Sequence, residues 1–237
     1  MEMHTTPIDG TLMENFKALS RFTQILDSVF PSGVFVHSFG LEPHIVLQRV
    51  YDEKTLKTFL ENLIIDQYQK MDFCAVNLAY KYLKNNKLNL LVKEDERYSC
   101  MLSFEYAKAS KDLGENYLKQ LDFNIKKPIV NRYFNLIKEK KCFGNEIFIL
   151  SAYAYEVDLQ KELFLLFWCK KNLINIASCA LKISKIKPSQ IQKILFEFDE
   201  KIDKLIKNNT KRFNNFNPLF EEVILSHLNL EPKMFTT

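Results

Sequence analysis

The chain has 237 residues, 47% hydrophobic and 26% charged, and its net charge of +4 is spread as lysines along its length rather than gathered in a block. That is the balance of a globular protein with one sizeable core, and it argues against a nucleic-acid footprint. Five separated cysteines (Cys74, Cys100, Cys142, Cys169 and Cys179) contain no C-x-x-C pair, so reduced, mostly buried thiols in a cytoplasmic protein are expected, not a disulfide framework or zinc site.

The N-terminus lacks a basic region followed by an apolar core, so no secretory signal is read there. Thr11-Leu-Met-Glu14 has the form of a capping box, and Leu12, Phe16, Leu19, Phe22 and Leu26 follow at helical spacing. A first helix over about 12–28 is predicted, stopped at Pro31. Asp52 or Thr55 caps a second helix carrying Leu56, Phe59, Leu60, Leu63 and Ile64, continuing or bending near Met71 into a third that ends by Asn85-Asn86. Residues 87–96 read as an irregular link. From Arg97 to Leu121 the pattern is again amphipathic, with Gly114 either a tolerated interior glycine or a close-packing point.

After Pro128 come a short basic helix, Val130 to Lys140, and, past Gly144, a helix at Ile147 to Tyr155. Asp158 is expected to cap Leu159 to Ile183, whose middle is apolar all round and so belongs at the centre of a bundle. Pro188 opens a helix with Ile191, Ile194, Leu195, Phe198, Ile202 and Leu205, and a short helix at Leu219 to Leu228 closes the series. Charged residues interrupt every apolar run short of a membrane span. The expectation is all-α: a single-domain helical bundle of roughly eight to ten helices.

Catalytic patterns are thin. The chain has no phosphate-binding G-x-x-x-x-G-K-[ST], no H-E-x-x-H and no G-x-S-x-G, and Ser184-Lys-Ile-Lys187 is a short S-x-x-K match of the kind chance supplies. The break in the helical pattern at residues 27–42 is more informative. It holds two of the five glycines, Gly33 and Gly40, with His37 between them. His37, Glu42 and His44 lie close enough in sequence to converge on a borderline metal ion. The alternative is that His37 bonds the loop's own backbone and His44 is exposed.

Asp27-Ser-Val-Phe-Pro-Ser-Gly-Val-Phe-Val-His-Ser-Phe-Gly-Leu-Glu42 resembles the N-terminal signature of the urease accessory protein UreF family, D-x-x-F-P-x-G-x-[FY]-x-H-S-x-G-L-E. The end, His227-Leu-Asn-Leu-Glu-Pro-Lys-Met-Phe-Thr-Thr237, is similar to that family's closing H-E-x-x-Y-S-R-L-F-x-S, and Ala109-Ser110 with Gly114 and Leu118 fits its A-S-x-x-x-G-x-x-x-L helix. The middle departs: Lys185 to Gln192 stands where the family has P-L-G-Q-T-D-G-Q, Lys182 and Ala107 replace arginines, and Ile149 and Glu156 replace glycines.

The resemblance implies a non-enzymatic scaffold that binds UreD (UreH in some species), recruits the nickel-carrying GTPase UreG and modulates GTP-dependent nickel delivery to apo-urease. It also implies a homodimer in the complex, no stably bound cofactor, and neither nucleic acid nor membrane as partner. Pro31, Ser32, Gly33, Phe35, His37, Ser38, Gly40 and Glu42 would face UreG near the dimer axis, with His37 a transient nickel-path candidate. The first helix (12–28) and the tail (228–237, with His227, Lys233, Met234 and Phe235) would dock UreD. Phe35 has the character of an interface anchor, and the tail, too short for a core, is expected to order only on a partner. The alternatives are a helical adaptor of an unrelated assembly and a small Cys or Ser hydrolase.

Overall fold

The computed structural model describes residues 10–26, 37–208, 213–214, 222–223 and 225–235. Helix α1 (Gly10–Leu26) sets Ala18, Phe22, Ile25 and Leu26 into the core and leaves Phe16, on the same predicted stripe, exposed. A short α2 (Leu41–Val46) follows the loop. Of the two caps the sequence offers, Asp52 is the one used: it caps α3 (Glu53–Asn62) through a reciprocal box with Thr55.

The bend expected near Met71 takes a specific form. Residues Leu63–Asp72 wind as a π-helix before α4 (Phe73–Lys84) resumes the α-helical repeat. The wider turn places Leu63, Ile64, Tyr68, Met71 and Asp72 all inside. π-helical turns are rare and occur mostly inside α-helices, as this one does between α3 and α4.

The predicted link at 87–96 is helical. Helix α5 covers Leu88–Met101 and α6 Phe104–Leu121, with the break at Leu102-Ser103 instead. The acidic run Glu94-Asp95-Glu96 looks solvated, yet Asp95 is fully buried. Its carboxylate accepts the Gly144 and Asn145 N–H groups at 2.8 and 3.1 Å, the Tyr133 hydroxyl at 2.9 Å, the Cys142 thiol at 2.9 Å and the Asn145 amide at 2.7 Å. A carboxylate so supplied with donors is stable inside, and it fixes the turn between α7 (Pro128–Lys138) and α8 (Glu146–Glu156). Gly114 is the close-packing point: a Cβ there would sit 2.0 Å from the Gly144 carbonyl oxygen.

Helix α9 (Lys161–Ile183) runs through the centre, packed against α1, α2, α3, α4, α8, α10 (Pro188–Glu197) and α11 (Asp199–Lys207). Gln160, not Asp158, is its N-cap residue, and the helix predicted from Pro188 to beyond Leu205 divides at Phe198. Contrary to the sequence expectation, α9 is long and apolar enough to cross a membrane by length and composition. Of that apolar window, 67% is buried in the fold, as in a core helix. All regular elements among the described residues are helical, as expected.

Candidate functional site

The end of the 27–42 loop and the tail meet. Of the residues assigned to the loop site, Pro31, Ser32, Gly33 and Phe35 lie outside the described residues, while His37, Ser38, Gly40 and Glu42 lie within them. The chain enters α2 through consecutive left-handed residues, Phe39 (φ 48°) and Gly40 (φ 83°). Gly40 adopts that conformation freely, whereas Phe39 is held in it: the Tyr106 hydroxyl donates to its carbonyl at 2.6 Å, and its ring packs between His37 and Tyr106. Ser38 Oγ accepts the Glu42 N–H at 3.3 Å.

Both loop histidines are buried. His44, predicted to be exposed, is buried against the Phe59 ring, and its Nδ1 donates to the Gly40 carbonyl at 2.7 Å. His37 is buried by its own chain, with the Cys179 thiol of α9 donating to its carbonyl at 3.8 Å. Burial holds the His37 pKa down to about 4 against the raising pull of Asp112, so the ring is neutral near pH 7. Burial lowers His44 as well. Among the described residues no group of three His, Cys, Asp or Glu side chains is placed to hold a metal ion.

Glu42 is the centre of the site. At 3% exposure its carboxylate accepts the Met234 N–H at 2.7 Å, the Phe235 N–H at 3.2 Å and His227 Nε2 at 3.1 Å. His227 is buried too, and its Nδ1 lies 3.8 Å from Oε2 of the buried Glu105 on α6. Phe235 is buried, with the Lys182 ammonium 5.4 Å from its ring centroid. The tail expected to order only on a partner is therefore folded onto its own body through residue 235. Lys233 and Met234 stay on the outside.

Sequence reasoning chose Glu42, His227 and Phe235 without foreseeing that they touch, and it passed over Glu105, for which no local pattern exists. Lys182, noted only as a replacement for arginine, keeps a cation over the tail's aromatic ring. Glu156, standing where the family has glycine, accepts the Lys126 and Lys127 N–H groups at 2.7 and 3.0 Å and so ties the C-terminal end of α8 to the start of α7.

Ser184 and the buried or partly buried thiols are not readied as nucleophiles. Ser184 of the S-x-x-K match is a helix terminator, donating to the Ala180 carbonyl at 2.6 Å and accepting the Ile186 N–H. Cys74 and Cys179 are pushed up to about 11 by burial, and burial also raises Cys142 and Cys169.

A family model described as UreF matches residues 50–199, which is the stretch that carries the departures from the family motifs. A urease accessory protein UreF from Bacillus sp. (strain TB-90) is 29% identical over 192 residues, covering 81% of this chain and 84% of the relative. One from Ureaplasma parvum serovar 3 is 28% identical over 157 residues, covering 65% of this chain and 67% of the relative.

Proposed function

Because the chain belongs to the UreF family of urease accessory proteins, which gives it a role in urease maturation, we propose that it acts as a non-enzymatic scaffold in a cytoplasmic nickel-delivery complex. It binds UreD (UreH), recruits the GTPase UreG, and through that GTPase modulates the GTP-dependent transfer of nickel to apo-urease. Nickel is cargo in this reading and no cofactor is stably held. The chain works as a homodimer within the complex.

The observation that carries the proposal is the Glu42 junction. Glu42, at the end of the loop expected to face UreG, is hydrogen-bonded to the tail expected to meet UreD, which supports one surface serving both partners. His37, buried and neutral beside that junction, is the candidate for brief contact with passing nickel, since a neutral imidazole offers a lone pair. Ser184 is engaged by Ala180 and Ile186, and burial raises Cys74, Cys142, Cys169 and Cys179, which weighs against the hydrolase alternative.

Co-expression with UreD and UreG tests the proposal: both should co-purify with the chain, and failure of both interactions would reject it. Restoration of urease activity in a strain lacking its own UreF separates it from an adaptor of another system.

A further inference from the structure

We propose that the groove between α2, the C-terminal end of α9 and the tail docks an acidic, apolar-tipped segment of a partner protein, an inference that rests on the partner role given to the tail above. The groove has a volume of about 490 Å³, with Ile45 and Val46 on one wall, Lys182 and Lys185 on another and Pro232 and Met234 on the third.

Its own acidic and hydroxyl groups are already engaged. Glu42 takes its three donors from the tail and His227, and Ser184 is tied to Ala180 and Ile186. The cations are not paired with carboxylates. Lys182, Lys185 and, beside Met234, Lys233 form no ion pair among the described residues, whereas on the α3–α10–α11 face Lys57, Lys193 and Lys201 meet Glu197, Glu53 and Glu61. Within this basic rim Val46 and Met234 leave 54% and 59% of their surface exposed.

A concave site with apolar contacts and an unpaired basic rim suits a peptide segment whose carboxylates steer it in and whose large apolar side chains fill the groove. A flat anionic membrane or a nucleic-acid backbone would use the lysines but leave the concavity idle.

The test places a benzophenone side chain at position 46 in place of Val46, and as a control at position 196, where Phe196 is 72% exposed on a distant face. The chain is co-expressed with UreD and UreG, irradiated, and the cross-linked partner peptide sequenced. Cross-linking at 46 but not 196, into a segment rich in Asp and Glu, is expected. Lys185→Glu with Lys233→Glu, both exposed and neither touching the Phe235 ring as Lys182 does, should weaken the complex about tenfold or more and reduce its salt dependence.

If co-purification persists without a cross-link at 46, or the charge reversal leaves affinity unchanged, the groove assignment falls while the scaffold role stands. If the parent chain captures neither partner, both fall together. Binding of the parent to phosphatidylserine vesicles or to RNA, abolished by the charge reversal, would instead give the groove to a lipid or a nucleic acid and overturn the proposal.

Discussion

Glu42 and His227 stand 185 positions apart and meet at 3.1 Å, both almost wholly buried. Neither carboxylate oxygen of Glu42 is idle: Oε1 receives the Met234 N–H, and Oε2 receives the Phe235 N–H together with His227. Each oxygen thus takes a backbone donor that has nowhere else to turn, and backbone donors cannot be rotated away. The tail is fastened by its main chain as well as by Phe235.

Glu42→Gln should therefore be destabilising even though it preserves size. Whichever way the new amide points, its NH₂ group faces a backbone N–H, so one charge-assisted bond is lost and one buried donor is stranded. The expected cost is about 2–4 kcal/mol. For a chain of this length that lowers Tm by roughly 5–15 °C. Thermal unfolding by circular dichroism measures it, and limited proteolysis should show early cleavage between 228 and 235. An unchanged Tm and an uncleaved tail would mean that the junction does not hold the tail.

Glu105→Gln should behave in the opposite way. Glu105 Oε2 and His227 Nδ1 are 3.8 Å apart, and neither has a hydrogen-bond partner among the described residues. In the tautomer that gives Nε2–H to Glu42, Nδ1 would present a lone pair to an oxygen, and a glutamine NH₂ would give it the donor it lacks. Stability should hold or rise by about 1 kcal/mol. A loss matching that of Glu42→Gln would show that His227 and Glu105 are joined in some other way.

What could be read from the sequence divides along physical lines. Local signals were legible: the Asp52/Thr55 box, Pro128 and Pro188 at helix starts, and the apolar run that becomes α9. Elements decided by distant partners were not. Asp95 sits in a run that reads as solvent-facing, and it goes inside because donors 49 and 50 positions away come to meet it. The same holds at the site, where a distant glutamate closes on the tail and Gly40 turns His44 inward. Periodicity reports which face is apolar; it does not report which buried acid will find donors.

Gly114 offers a test of packing rather than polarity. Its Cα faces the Gly144 carbonyl across the α6–α8 contact, and a methyl group would land 2.0 Å from that oxygen, a backbone atom held in place by the Asp95 network. Gly114→Ala would gain helix propensity in isolation, by up to about 1 kcal/mol. Here the clash outweighs it, and a net loss of about 3 kcal/mol or more is expected. Denaturant unfolding should show the midpoint falling. A stabilised variant would mean that α6 and α8 separate without penalty.

The pH dependence of stability should contain two opposing contributions that single substitutions uncover. His37 is held down to about 4 by burial, so between pH 4 and its ordinary value near 6.5 the unfolded chain binds a proton that the folded chain refuses. Raising the pH through that window stabilises the fold, and lowering it does the reverse. Asp72, buried and accepting the Tyr98 hydroxyl at 2.6 Å, is pushed up to about 7 from an ordinary 3.8. Between those values the folded chain keeps a proton that the unfolded chain releases, so raising the pH destabilises. The two windows overlap and offset one another in the parent. Asp72→Asn removes the second contribution, and the urea midpoint should then climb more steeply than the parent's between pH 4.5 and 7. His37→Gln removes the first, and the midpoint should climb less or fall. Each variant is compared with itself at two pH values, so any uniform loss from the substitution cancels. Parallel profiles for both variants would show that neither buried group changes its proton affinity on folding.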